Sequence, residues 1–137
     1  MILQRDSRLN ADIQARGCYY MSLLFLANKW ARHQFDPAEI KRVYDHVVRI
    51  GWMREDCYIY EPGRILGYVE LETVYLGHRG PHYLCGERDI EALCYVRGGQ
   101  THFVAGDGKG HVAYDPWGVS RAVTEGRLDS KRIFRRL

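Results

Sequence analysis

The chain's 137 residues, 46% hydrophobic and 27% charged, suit one globular domain with a real core, are too few for two comfortable ones, and exclude disorder and collagen-like repetition. Twenty Lys and Arg against 17 Asp and Glu leave a net charge of +3, a good part of it in the last seven residues, KRIFRRL. A basic tail without a basic stripe interleaved with exposed aromatics gives little footing for phosphate neutralisation, so nucleic acid is not an expected partner.

The opening stretch MILQRDSRLNADIQ places charges among its apolar residues and lacks the apolar run of a signal peptide. No later stretch approaches the roughly 18 apolar residues of a membrane span. The expected setting is cytoplasmic, with no membrane partner.

Over residues 18–33, Tyr19, Tyr20, Leu23, Leu24, Leu26, Ala27 and Trp30 recur at helical spacing, with an apolar face broad enough to make this the central, largely buried helix. Asp36, Pro37 and Glu39 then spell a second helix start: an N-cap oxygen, a proline at the first helical position and a glutamate at the capping-box position. Ile40, Val43, Tyr44, Val47 and Val48 give that helix its inner face, and Gly51 ends it.

Between Trp52 and Gly86 the apolar runs 57–60, 65–69 and 74–76 are interrupted by Pro62, Gly67, Gly77, Gly80 and Pro81, a pattern of short helix or strand pieces and loops. Beyond it, residues 92–97, 102–105 and 111–115 are strand-like runs separated by glycine turns, with GDGKG a strong hairpin signal. Residues 121–124 and 132–135 are two further strand candidates. Two helices followed by an antiparallel meander predict an α+β domain.

Four cysteines, Cys18, Cys57, Cys85 and Cys94, are widely spaced in a chain long enough to fold without staples, so reduced thiols are expected. With no CxxC pair, neither a metal nor another cofactor is expected.

Cys18 opens the central helix. A helix N-terminus carries roughly half a positive charge and stabilises a thiolate; against this, free cysteine is also among the most buried residue types. His102 starts one strand of a hairpin and Asp115 ends the other, and residues near the open end of such a pair come together, so Asp115 can orient the imidazole. Thiolate, base and orienting carboxylate are the parts of a nucleophilic triad. The structural readings are a packed thiol, a strand histidine beside Phe103, and an aspartate that initiates a turn before Pro116. His111, at the turn end of the hairpin, ranks behind His102 as a base, His78 and His82 are expected in surface loops, and the other three cysteines in the core.

The helix-borne cysteine followed by THFVAGDGKGHVAYDPWG resembles the papain-like cysteine peptidases, nearest to the bacteriocin-leader-processing (double-glycine) branch. The resemblance spans residues 14–30 and 92–118. It implies a papain-like α+β fold, N-terminal helices packed on an antiparallel sheet, with Cys18 as nucleophile, His102 as general base, Asp115 as orienting acid, and Pro116 and Trp117 structural. These enzymes usually carry an oxyanion-hole glutamine six residues before the cysteine, where this chain has Asp12. Gln14 and Gln4 are the available amides, and Gln14 is the expected donor. The implied activity is hydrolysis of a short peptide or amide through an acyl-enzyme, in a compact domain that would suit a phage or mobile element. The alternative is a catalytically inactive domain of the same fold that binds a protein or peptide, a reading favoured by Asp12.

Overall fold

The structure, a computed structural model, describes residues 1–137. Five helices, α1 (Ala11–Arg16), α2 (Cys18–Ala31), α3 (Pro37–Arg49), α4 (Pro62–Tyr68) and α5 (Arg121–Glu125), accompany five strands, β1 (Thr73–Arg79), β2 (Asp89–Arg97), β3 (Gln100–Gly106), β4 (Val112–Tyr114) and β5 (Arg127–Arg136). The strands form one antiparallel sheet in the order β1-β5-β2-β3-β4. The fold is α+β, as composition and periodicity predict.

α2 is the central helix. Tyr20, Met21, Leu23, Leu24, Leu26 and Ala27 are fully buried, and they meet Ile13 from α1, Ile40, Val43 and Val47 from α3, Ile65 and Leu66 from α4, and Phe134 from β5 in one core. Side chains of this kind each contribute about 1.5–3 kcal/mol on burial, so α2 is the element the others are assembled around. The buried Tyr20 hydroxyl donates to the Ile40 carbonyl at 2.7 Å, tying α2 to the first turn of α3. That turn starts as expected: the Asp36 side chain accepts the Glu39 N–H at 2.8 Å with Pro37 at the first position. The reciprocal half of the capping box is not made, because the Glu39 carboxylate pairs with His33 and Arg42 instead.

The sheet departs from a simple meander. β5 is not an edge strand but lies between β1 and β2, with Cys94 opposite Ser130 on one side and Thr73 opposite Arg136 on the other. Local pattern finds a strand; it does not say between which neighbours the last strand inserts. Residues 121–124, expected as a strand, fall in the short helix α5, because the Ser120 side chain accepts the Val123 N–H and caps it. His78 lies within β1 rather than in a loop, and α1 was not anticipated.

Two turns around β3 explain its glycines. β2 and β3 are joined through Gly98 and Gly99, whose φ values of +55° and +81° suit the mirror-image two-residue hairpin turn that only such residues adopt without strain. In the GDGKG connection, Gly108 and Gly110 also have positive φ, and their N–H groups both donate to Oε2 of Glu91, at 3.0 and 2.8 Å. Glu91 is fully buried and its Oε1 lies 3.1 Å from Nζ of the buried Lys131, which also donates to the Tyr83 carbonyl. A buried ion pair on β2 and β5 thus anchors the tip of the β3–β4 hairpin.

Candidate active site

Gly17 joins α1 to α2 by donating its N–H to the Ile13 carbonyl at 2.8 Å; a Cβ there would stand 2.6 Å from that oxygen. Only glycine lets the two helices abut so closely, and the abutment puts Cys18 at the first position of α2. The partly buried Cys18 Sγ accepts the Phe103 N–H of β3 at 3.5 Å. Ser22, one turn on, donates to the Cys18 carbonyl at 2.7 Å with the Phe103 carbonyl 3.4 Å away, and the Tyr19 ring stacks on Phe103 at 4.2 Å. The first turn of α2 is therefore clamped to β3 beside His102.

His102 Nε2 donates to Oδ1 of Asp115 at 2.7 Å, and the ring lines the same cleft as Cys18, whose sulfur accepts the N–H of the adjacent Phe103. Both side chains of the His102–Asp115 pair are largely buried. Burial opposes protonation of His102, but the interactions with Asp115 and Cys18 outweigh it and hold the ring's pKa up, at about 9. Burial likewise opposes ionisation of Asp115, and its hydrogen bonds from His102, Ser120 and Trp117 outweigh it and keep the carboxyl below the ordinary carboxylate range. Asp115 accepts the N–H groups of Trp117 at 2.9 Å and Ser120 at 3.2 Å, so the turn-initiating and ring-orienting readings of this residue are both realised.

Cys18 and His102 open onto a cleft of about 620 Å³. Residues 56–60 also line it; there Tyr58 and Tyr60 stand exposed and meet edge to face at 5.3 Å, and the buried Cys57 has φ +68°. Trp117 lines the cleft as well, with the Arg5 guanidinium 4.0 Å over its ring.

The two glutamines exchange the roles expected of them. Gln14 does not line the cleft, and its Nε2 donates to the Leu9 carbonyl at 2.7 Å. Gln4 does line it, buried, with its backbone N–H on the Pro116 carbonyl at 2.8 Å and its Nε2 on the Gln14 carbonyl at 3.1 Å, while its buried Oε1 has no partner. The N-terminal segment reaches this position because the Tyr114 hydroxyl donates to the Ile2 carbonyl and Gln4 docks on the Asp-Pro-Trp-Gly loop. Asp12 is half-buried, pairs with Arg16 at 3.4 Å and does not itself line the cleft.

Residues 1–136 match the family model described as "Protein of unknown function, DUF261". The chain belongs to this family. No curated protein and no solved structure matches it.

The other three histidines of the sequence analysis lie apart from the cleft. His111 is exposed and pairs with Asp107 at 3.3 Å, and His78 and His82 are exposed. All four cysteines are free; Cys57 and Cys94 are buried as expected, whereas Cys85 is only half-buried, with its thiol on Oε1 of Glu91 at 3.4 Å. Burial pushes the thiols of Cys57 and Cys85 up to about 12, so neither is a nucleophile at neutral pH. No group of three His, Cys, Asp or Glu side chains is arranged to hold a metal ion. Sequence reasoning missed Tyr58, Tyr60 and Arg132 of the cleft lining, and took Trp117 as purely structural. The aromatic density of Tyr58-Ile-Tyr60 before Pro62 was a signal; nothing local marked Arg132.

Proposed function

We propose that this chain is a cysteine-dependent hydrolase of papain-like type, acting on a short peptide or amide through an acyl-enzyme. The observation that carries it is the His102 ring held by the buried Asp115 in the same cleft as Cys18, whose sulfur accepts the N–H of the neighbouring Phe103. A packed thiol needs no oriented imidazole, and a strand histidine needs no buried carboxylate aimed at its Nε2.

In this reading the Cys18 sulfur, at the positive end of α2, attacks the substrate carbonyl carbon and forms the C–S bond. The oxyanion takes the Cys18 backbone N–H and a Gln4 side-chain N–H, since Nε2 has a second hydrogen beyond the one given to Gln14. His102 passes its proton to the leaving nitrogen as the C–N bond breaks. It then takes a proton from water, which attacks the thioester and releases the acid and free Cys18. Asp115 holds the ring in place through both steps. The inactive-domain reading rested on a carboxylate at the oxyanion position, and Asp12, paired with Arg16 and outside the cleft lining, removes that support.

Iodoacetamide labelling with site mapping tests the proposal. Cys18 is expected to react at pH 6–7 far faster than an ordinary thiol, and a panel of short peptide amides is expected to contain a cleaved member. A Cys18 rate that follows free-thiol titration and ignores removal of His102 would overturn it.

A further inference from the structure

Arg132 stands apart from the other charges of the cleft. It lies on β5, with its guanidinium 5.2 Å over the Phe103 ring and a hydrogen bond from Nη1 to Ser130 Oγ at 2.9 Å. Phe103 is the residue whose N–H meets Cys18 Sγ and whose ring stacks on Tyr19, so Arg132 shares a wall with the sulfur.

The other charged groups lining the cleft have partners. Asp56 is held by Arg54 at 2.7 Å, Arg16 by Asp12, and His102 by Asp115. Arg132 pairs with no carboxylate. A guanidinium is planar and presents paired donors matched to a carboxylate, and its attraction for an anion grows where aromatic walls displace water. Tyr19, Phe103 and Tyr75 supply such walls, and the exposed Tyr58 and Tyr60 rings of the same cleft offer apolar contact to a chain lying in it.

We propose that this cleft takes a peptide-like segment bearing a carboxylate, which Arg132 binds beside Cys18. Calling that segment a substrate rests on the hydrolase reading; the pairing itself does not. The carboxylate comes either from an acidic side chain or from a chain end, and the chemistry is shared.

The test uses two matched pairs of thiol reagents on the full-length protein: N-iodoacetyl-glycine against its glycinamide counterpart for a chain end, and N-iodoacetyl-glutamic acid 1-amide against the glutamine amide for a side chain. In each, the Cys18 sulfur displaces iodide at the methylene carbon, and site-resolved mass spectrometry gives the rate at Cys18. Rates are taken at pH 7 and at pH 10, where His102 is mostly neutral and Arg16 and Arg132 are the cations left in the cleft lining.

In at least one pair the acid is expected to outpace the amide roughly three- to tenfold at pH 10, and that pair identifies the source. R132Q is expected to bring the ratio near one whatever it does to the amide rate, R132K to keep part of the preference, and R16Q to keep all of it. No acid preference in the wild type at pH 10 overturns the proposal, as does a preference that survives in R132Q. Should R132Q fail to fold, the wild-type ratio and its loss in added salt decide the matter. The amide rate alone reports on nucleophile activation. A slow, ordinary thiol defeats the hydrolase reading yet still reacts at pH 10, so the ratio still decides Arg132.

Discussion

Nε2 of His102 lies 2.7 Å from Oδ1 of Asp115, across a strand pair whose connecting loop is pinned at its far end by Glu91. The contact leaves Nδ1 as the ring nitrogen for Cys18. Hairpin geometry, not chain proximity, creates the pair, and the hydrogen bonds to Asp115 outnumber what a turn alone requires.

Replacing His102 by alanine is expected to return the pH dependence of Cys18 alkylation to that of an ordinary thiol and to abolish turnover. D115N preserves shape and, with its carbonyl oxygen at the Oδ1 position, the Trp117 N–H bond, but it removes the charge facing the imidazolium and gives up the Ser120 N–H bond. It is expected to lower the protonated fraction of His102 near pH 8 and to slow turnover by roughly 10²–10⁴-fold. His111→Ala is expected to leave both unchanged, since that ring lies apart from the cleft and pairs with Asp107. Alkylation rates from pH 5 to 9, read on the three variants side by side, check this.

Stability should depend on pH through the same pair. The His102 pKa is raised from 6.5 to about 9, so the folded state binds the extra proton. That stabilisation is fully present below pH 6.5 and is lost as pH rises through about 9, a change of about 3 kcal/mol. Asp115 is lowered below 3.8, so its contribution is present above that value and lost as pH falls through the folded pKa. Urea unfolding midpoints at pH 6, 7.5 and 9 are expected to fall in the wild type and to stay flatter in His102→Gln.

Where residues carry their own signal, the sequence was sufficient. Cys18, His102 and Asp115 were legible because a helix start and the open end of a hairpin are local patterns that fix where side chains end up. The second helix was legible from Asp36 and Pro37 alone. What was hidden depends on contacts between distant segments: β5 slipping between β1 and β2, Arg132 reaching the cleft wall from it, and Gln4 arriving on the Pro116 carbonyl. Gln14 was preferred over Gln4 because it is nearer to Cys18 in sequence. In the fold, its amide closes a local turn to Leu9 while its carbonyl holds the Gln4 amide.

Gln4→Ala is expected to lower kcat by roughly 10–10³-fold with a smaller change in KM, as loss of one oxyanion donor does. It should leave the iodoacetamide rate of Cys18 nearly intact, because alkylation builds no oxyanion. Gln14→Ala keeps the carbonyl that orients Gln4 and is expected to cost turnover far less. Steady-state kinetics on the best peptide substrate, with alkylation as the control, separates the two; equal losses in turnover would remove Gln4 from the proposed oxyanion hole.

The buried Glu91–Lys131 pair makes a different demand. Glu91 satisfies Gly108 N–H, Gly110 N–H and Lys131 at once, and a Cβ on Gly106 would collide with its carboxyl group. Glu91→Gln keeps an acceptor for the loop but leaves the Lys131 ammonium buried without a counter-charge, which costs about 3–5 kcal/mol. Lys131→Met alone strands the carboxylate at a similar cost. The double variant, Glu91→Gln with Lys131→Met, removes both charges and is expected to recover a good part of the loss, giving a coupling of at least about 1 kcal/mol in a double-mutant cycle. Because the pair secures the hairpin tip rather than the His102–Asp115 end, the folded fraction of each variant should alkylate at Cys18 with wild-type pH dependence. Urea unfolding combined with alkylation below the transition checks both halves of this expectation. Additive single losses would mean that the two charges act separately, and an altered Cys18 profile would mean that the loop anchor reaches the site.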